Sequence, residues 1–120
     1  MSGGLLLFNT APLFTAYKMI TTQDAIGGQV IDETIPDFTF QGHMDLLSSE
    51  PQGDRPFTGN KAYIPNATHV ILIDYRHKKR FKDQIKMRLT DEDGRSYRVL
   101  YTDNPVNMGI ILEVYVKMEG

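Results

Sequence analysis

The sequence predicts a mainly β protein: a small antiparallel β-barrel of about six strands, with one long loop and at most one short helix. Ten glycines and six prolines are spread along the 120 residues, so few stretches can hold a helix of roughly 10–15 residues. Apolar and polar side chains alternate in several short segments, which is the pattern of half-buried strands. Closure into a small barrel, or a tight sandwich, is expected because either protects the strand edges from unwanted pairing.

The N-terminal part of the sequence predicts an arm and then a hairpin. We expect residues 1–14 to form the arm and residues 15–120 to form the barrel domain. The hairpin strands are residues 16–23 and 29–34, and the segment 24–28 between them ends in two glycines. Glycine tolerates the positive φ angles that tight turns require, so this segment suits a turn.

The middle of the sequence holds a strand and then a long loop. Apolar residues alternate with polar ones at Phe38, Phe40, Met44 and Leu46. Gly42 replaces a side chain within this pattern, as at a bulge or where two backbones approach closely. Residues 48–66 follow, with three prolines, two glycines and no apolar periodicity. A loop of this length in a compact domain is usually functional or lacks fixed structure.

A central strand and a run of basic residues come next. Residues 69–75 are apolar at successive positions, which predicts a strand covered on both faces. Its exit is basic, and five side chains there are candidates for facing phosphates or a neighbouring subunit: Arg76, Lys78, Lys79, Arg80 and Lys82. Because exposed charges also protect a strand end from unwanted pairing, solvation alone explains the same run.

The C-terminal third predicts three consecutive antiparallel strands. The first two strands alternate apolar and polar residues around the turn Asp93-Gly94, a strong hairpin signal. Their apolar positions are Ile85, Met87, Leu89, Tyr97, Val99 and Tyr101. A second turn, Asp103-Asn104-Pro105, leads to the third strand, which alternates up to Met118. We therefore expect a meander.

Composition and charge restrict the kinds of protein to consider. The chain has no cysteine, which excludes disulfides and thiolate metal sites. Its apolar runs are far shorter than the ~20 residues of a spanning helix, so we expect no membrane partner. Residues 1–60 carry two basic and seven acidic residues (net −5), whereas residues 61–120 carry eleven basic and eight acidic residues (net +3). Opposite charges in the two halves suit a protein that meets copies of itself, or different partners on its two sides, and chance alone explains the same split.

Residues that could support catalysis do not form a recognisable constellation. His43, His69 and His77 each lie in or beside a predicted strand, and no Gly-x-Ser-x-Gly motif supplies a nucleophile. A single structural hydrogen bond explains each histidine more simply. The acidic segment 91–94 lacks the ligand spacing of a calcium loop, and no phosphate-binding loop is present. We expect no enzymatic activity, no cofactor and no metal.

Binding of single-stranded nucleic acid is the main alternative from another functional class. Tyr75 precedes the basic strip of residues 76–88, and Phe81 lies within it. Both rings are candidates for stacking on bases. The whole chain is acidic, with pI ≈ 5.9, whereas nucleic-acid-binding domains commonly exceed about 9. The balance of charge therefore disfavours this alternative.

Three motifs follow one another near the C-terminus in a recognisable order: Gly94-x-x-Tyr97-x-Val99, Asp103-Asn104-Pro105, and Leu112-Glu113-Val114-x-Val116-Lys117. Together with the glycine-rich turn at 24–28 and the length of the chain, they make residues 15–118 resemble the small head-closure proteins of long-tailed bacteriophages. These are also called stopper, head-completion or minor capsid proteins, and the closest resemblance is to those of phages and prophages of Gram-positive bacteria.

The resemblance implies a structural protein of the virion, made in the bacterial cytoplasm and located at the head–tail interface. Such proteins form a homo-oligomeric ring beneath the portal and adaptor proteins, seal the DNA-filled head and meet the tail proteins. Family members are small β-barrels, and one long loop reaches the channel that holds packaged double-stranded DNA. The corresponding loop here is 48–66, whose Arg55 and Lys61 are the candidate DNA-facing residues. The turn Asp103-Asn104-Pro105 is the turn typical of the family.

Two neighbouring roles in the same connector remain open at this point, namely the adaptor above the ring and the tail terminator below it. Adaptors in this class of phage are largely helical, which does not suit the predicted barrel. A tail terminator also caps the tail tube, so its location on free tails would distinguish it.

Overall fold

The computed structural model describes residues 8, 10–47, 66–81, 86–105 and 109–119. The described residues contain eight strands, numbered in chain order, and one 3-10 helix at Tyr75–Arg80. The strands are β1 (Leu13–Tyr17), β2 (Ile20–Gln23), β3 (Gln29–Asp32), β4 (Pro36–Leu46), β5 (His69–Asp74), β6 (Arg88–Thr90), β7 (Ser96–Asp103) and β8 (Ile111–Met118).

Six of the strands close into an antiparallel barrel in the order β1-β4-β5-β8-β7-β6, with β6 pairing back onto β1. The predicted fold class is therefore confirmed, and so is the C-terminal meander of β6, β7 and β8. β5 lies between β4 and β8 and is apolar on both faces, as its sequence indicates. The predicted hairpin is also present, but β2 and β3 form a separate two-stranded sheet.

The inward-facing side chains of the barrel strands form one continuous core. It is rich in aromatic and β-branched residues, which fill a narrow barrel well. Its buried members are Phe14, Ala16, Phe40, Ile71, Ile73, Phe81, Met87, Leu89, Tyr97, Val99, Leu112, Val114 and Val116. Phe14 stacks on Phe40 with ring centroids 5.4 Å apart, and Phe81 meets Phe40 edge-on at 5.4 Å.

A second buried cluster lies on the outer face of β5 and β8, where Val70, Leu72, Ile111 and Tyr115 pack together with Phe8. Phe8 belongs to the predicted arm, so at least this residue of the arm packs against its own barrel. β1 begins at Leu13, which is paired with Gln41 of β4. The predicted boundary after residue 14 therefore falls inside a barrel strand, because the arm enters the sheet through that pairing.

The β6–β7 turn is built around the carboxylate of Asp91. Its Oδ1 atom accepts hydrogen bonds from the amides of Asp93 and Arg95, each at 2.9 Å, and Gly94 adopts φ +85°. The Tyr97 hydroxyl donates to Asp91 Oδ2 at 2.8 Å. Burial and this hydrogen bond raise the pKa of Tyr97 to about 12, while the hydrogen bonds from Arg95, Tyr97 and Asp93 outweigh burial and lower the pKa of Asp91. The acidic segment is a hairpin tip, as predicted.

The barrel has two different ends because different connections join its strands at each end. At the ribbon end β1 and β5 finish and β4 and β8 begin, so the β2–β3 hairpin, the 3-10 helix and the β7–β8 turn all lie there. At the loop end β4 finishes and β5 begins, with Leu46 paired to His69. The predicted loop 48–66 starts from this end, and its residues up to 65 lie outside the described residues.

Candidate functional site

The β2–β3 hairpin, residues 20–32, projects from the barrel as a two-stranded ribbon. Its register pairs Thr21 with Ile31 and Thr22 with Val30, so Val30 and Ile31 lie on opposite faces. These two side chains are 48% and 53% exposed, and Ile26 at the tip is 93% exposed. The ribbon therefore presents apolar side chains on both faces and at its tip.

The tip of the ribbon is a well-defined turn. Asp24 Oδ1 accepts hydrogen bonds from the amides of Ile26 and Gly28 at 3.0 and 2.7 Å, and Gly27 adopts φ +89°. The carboxylate thus satisfies backbone donors locally, and Gly27 supplies the left-handed conformation that other residues rarely adopt. The turn carries a negative charge beside the exposed Ile26.

A partly buried ion pair fixes the foot of the ribbon to the outer face of β7. The Arg98 guanidinium binds both carboxylate oxygens of Glu33, which follows β3, and it also contacts Glu119 and the carbonyl of Lys86. The Arg98 and Glu33 side chains are only 23% and 18% exposed. The hydrogen bonds that Arg98 donates to Glu33 and Glu119 raise the pKa of Arg98. A bidentate, partly buried pair of this kind fixes direction as well as adding energy.

A second arginine supports the same foot from β6. Arg88 Nη1 donates to the carbonyl of Glu33 at 3.2 Å, and its Nε donates to Ser96 Oγ at 3.0 Å. Its guanidinium lies 4.7 Å from the ring centroid of Tyr17, a cation–π contact. Arg98 and Arg88, on two strands of the barrel wall, therefore both bind Glu33, where the chain leaves the ribbon.

Next to the ribbon's foot, the basic run of the sequence forms the 3-10 helix at Tyr75–Arg80. Asp74 caps it by accepting from the amide of Arg76 at 2.9 Å. The sequence predicted a simple strand exit, and this expectation was wrong because the cap turns the chain directly after β5. The helix leaves Arg76, Lys79 and Arg80 exposed and Lys78 half-buried.

His77 sits within this helix, with its ring 6.2 Å from that of Phe40. Burial lowers the pKa of His77, and the neighbouring Arg76 and Arg80 lower it further. The imidazole therefore stays neutral at neutral pH, and the positive charge of the helix comes from its lysines and arginines.

An open groove of about 610 Å³ runs between the start of β4 and this helix. It is lined by Asp37, Phe38, Thr39, Lys79 and Arg80, which we call the basic groove. Arg80 covers the Phe38 ring, with Cζ 5.3 Å from its centroid. A smaller groove shares Asp37 and Arg80 and continues towards the ribbon's foot at Ile20.

The structure brings the described members of the predicted basic strip together at the ribbon end: Arg76, Lys78, Lys79 and Arg80. Lys82, Arg55 and Lys61 lie outside the described residues. The turn Asp103-Asn104-Pro105 lies at the ribbon end too, and Asn104 Oδ1 accepts from the amide of Gly109 at 3.0 Å. Pro105 is buried and Asp103 and Asn104 are half-buried, so this turn shapes the barrel end.

The aromatic side chains suggested for base stacking are placed differently from the prediction. Phe81 is 2% exposed and belongs to the core, and Tyr75 is half-buried against it. The expectation that Phe81 stacks on bases is therefore wrong, because the chain turns inward after the helix. Phe38 is the half-buried aromatic ring that lines the basic groove.

The described histidines and acids do not converge on one site. His69 Nδ1 lies 2.8 Å from Thr68 Oγ1, the single structural hydrogen bond that the sequence suggested, and burial lowers its pKa. His43 faces outward towards Phe8, with ring centroids 5.6 Å apart. Within the described ranges, no three histidine, aspartate or glutamate side chains are grouped to hold a metal ion. No helix there is long and apolar enough to cross a membrane.

Sequence reasoning missed the foot of the ribbon. Arg98 and Glu33 are 65 positions apart, and nothing local marks them as partners. A weak signal did exist, since Arg88 and Arg98 occupy polar positions of strands whose other face is apolar. Comparison of the chain with protein-family models and with curated proteins gave no match.

Proposed function

We propose that this protein is a structural component of a phage head–tail connector: a head-closure ring that seals the DNA-filled head and joins it to the tail. The order of its C-terminal motifs supports this role through the resemblance described above. The small closed barrel is the fold which that resemblance implies. Its partners would be further copies of itself, the portal and adaptor proteins, the tail proteins and packaged double-stranded DNA.

The observation that carries the proposal is the exposed ribbon. Every barrel strand is paired on both sides, yet β2 and β3 stand apart with apolar side chains exposed on both faces. A two-stranded hairpin alone is at best marginally stable in water. The Arg98–Glu33 pair nevertheless fixes its foot in one direction. A ribbon held out in this way suits assembly better than catalysis.

The two ends of the barrel support a position between two different partners. The ribbon end carries the ribbon and the basic helix, and the loop end carries the β6–β7 turn and the start of the long loop. A closure ring has to contact one set of proteins above and another below. Because the two ends of each subunit differ, the upper and lower faces of a ring of such subunits differ as well.

Filled, tail-less heads provide the test. Such heads accumulate when a head-closure gene is disrupted, and we expect the purified protein to bind those of its own phage or prophage. Binding should restore attachment of tails and resistance of the packaged DNA to nuclease. DNA-free heads without a connector serve as the control. Failure to bind filled heads contradicts the proposal, and location on free tails instead would indicate a tail terminator.

A single-stranded nucleic-acid-binding barrel is the second candidate, and the basic groove favours it. Lys79, Arg80 and the Phe38 ring line an open groove on one face, and such combinations bind phosphates and bases. Fluorescence anisotropy with a labelled oligonucleotide tests it. Binding that weakens steeply with salt, and is lost in Lys79→Ala but not in Arg95→Ala, supports this candidate. Binding that is equal in both variants contradicts it.

A further inference from the structure

The tip of the ribbon has the properties of an anchor that inserts into a partner. Ile26 is 93% exposed, and Asp24 beside it carries a negative charge held in place by two backbone amides. One exposed isoleucine on a flat surface has little meaning. At the tip of a directed ribbon, however, it can enter a pocket fully, as interface hot spots do.

The ribbon carries negative charge at its tip and at the end of β3. Residues 20–32 contain two acidic residues, Asp24 and Asp32, and no basic residue. Thr34 donates from its hydroxyl and its amide to Asp32 Oδ1, at 2.6 and 2.9 Å, and these bonds lower the pKa of Asp32. The carboxylate is therefore ionised across the neutral pH range. A partner for the ribbon must accept an apolar tip and a negative stem.

The basic groove offers the complementary surface. It is lined by Phe38, Thr39, Lys79 and Arg80 and also by Asp37, so two positive charges face one negative charge and the lining is positive on balance. A volume of about 610 Å³ exceeds that of an isoleucine side chain several-fold, so a turn can enter with its neighbours. The adjoining helix adds Arg76 and Lys78 to the positive charge. Charges arranged this way steer association and fix register between partners.

The ribbon tip of a chain does not occupy the basic groove of the same chain. Ile26 is almost fully exposed, so the tip does not fill the groove of its own subunit. A contact between two different surfaces on identical chains is heterologous, and it closes into a ring when the rotation between neighbours permits. The two surfaces also lie at the same end of the barrel. Each copy can therefore insert its ribbon into one neighbour and accept the ribbon of another neighbour in its own groove.

We propose that the tip of the β2–β3 ribbon, Ile26 with Asp24, inserts into the basic groove of a second copy of this chain. This inference rests on the proposed ring and names the contact that joins its subunits. The ribbon's foot, held by Arg98 and Glu33, sets the angle between neighbours. The groove is thereby assigned to protein rather than to nucleic acid.

Site-directed cross-linking tests the contact, and the absence of cysteine from the chain leaves the background clean. Ile26→Cys places a thiol at the ribbon tip and Thr39→Cys places one in the groove. Equal amounts of the two full-length variants are mixed under mild oxidation, free and again on filled heads. We expect a cross-linked heterodimer well above the level given by either variant alone. Ile26→Cys mixed with Glu92→Cys, at the β6–β7 turn of the loop end, is the matched control.

Charge reversal provides the second measurement. Lys79→Glu combined with Thr39→Cys should lower the cross-linked yield by about tenfold, the effect of losing one well-placed interfacial charge pair. Gln23→Lys in the Ile26→Cys chain adds a positive charge to the ribbon, and it should recover much of the yield with Lys79→Glu. Raised salt should weaken the wild-type contact in the same direction.

The outcomes separate this inference from the proposed function. Head binding without the tip-to-groove cross-link, or with equal cross-linking of the loop-end control, overturns the inference and leaves the function intact. Failure of the protein to bind heads overturns the function itself. A tip-to-tip product as abundant as the heterodimer indicates a symmetric dimer and overturns the inference. Loss of oligonucleotide binding in Lys79→Glu with unchanged cross-linking assigns the groove to nucleic acid, and also overturns it.

Discussion

Gly42 lies in β4, packed closely against β5 within the barrel wall. A Cβ atom placed there would stand 2.7 Å from the Cγ2 atoms of Ile71 and Ile73 and 2.9 Å from the carbonyl oxygen of Leu72. β-branched side chains have little rotameric freedom, and a backbone oxygen cannot move without disturbing the sheet. The glycine is needed here for space, as its position in the strand pattern indicated.

Gly42→Ala should therefore destabilise the protein by about 1–3 kcal/mol, the usual cost of forcing atoms into a packed core. Urea denaturation measures the change in the free energy of unfolding. Gly28→Ala is the matched control, because its Cβ would meet only the flexible Asp24 carboxylate, and it should stay within about 1 kcal/mol of wild type. Equal destabilisation by both variants would contradict this explanation.

The strands of the ribbon pair with each other and not with any barrel strand. The ribbon is instead attached to the barrel by the side-chain contacts at its foot. Arg98 and Arg88 hold Glu33 from two adjacent strands, while the ribbon strands are almost entirely exposed. A part of the fold with few buried contacts opens more readily than the core. The ribbon should therefore order fully only against a partner, with its direction already set by the foot.

Arg98→Gln should loosen the ribbon without unfolding the barrel. We expect a loss of about 1–3 kcal/mol, since the partly buried Glu33 carboxylate loses a charged hydrogen-bond partner. Hydrogen exchange of the β2 and β3 amides should accelerate while that of β5 and β8 changes little. Arg95→Gln, in the exposed β6–β7 turn, is the control and should leave the ribbon amides unchanged. Uniform acceleration throughout the barrel would show that Arg98 serves the whole fold instead.

The molecule as a whole combines a closed barrel with two ends of different character. Its core is continuous from β1 to β8, and the surfaces proposed for assembly lie outside that core. Substitutions of exposed ribbon or groove residues should therefore affect assembly more than stability. The two half-buried histidines, His69 and His77, link the stability of the whole fold to pH.

Stability should fall as the solution is acidified. The pKa values of His69 and His77 are lowered in the folded state, chiefly by burial, whereas the unfolded chain protonates them near 6.5. Below this pH the unfolded chain binds more protons, so the free energy of unfolding declines until the folded state is protonated too. Urea midpoints between about pH 7.5 and about pH 5 measure the decline. His77→Gln should flatten the curve, and an unchanged slope would contradict the assignment.

The strands were predictable because their signals are local. Alternation along β4, β7 and β8, and the turn residues Asp93 and Gly94, depend on side chains within a few positions of one another. The short helix after β5 was not predicted. It depends on a single capping carboxylate, Asp74. The basic residues that follow show no spacing of apolar positions that would indicate a helix. The ribbon was predicted as a hairpin, but its separation from the barrel was not.

The sequence by itself determined that this chain forms a closed antiparallel β-structure, with Gly42 at a bulge or a close approach of two backbones, since periodicity and turn chemistry act over short stretches of chain. Only the tertiary structure decided which residues meet across long stretches: Arg98 with Glu33, and Lys79 and Arg80 with Phe38. Many strand registers satisfy the same alternation, and a register becomes unique only when both faces of each strand are packed at once. The candidate interaction surface depends on that register, so it is a property of the tertiary structure and not of any local segment.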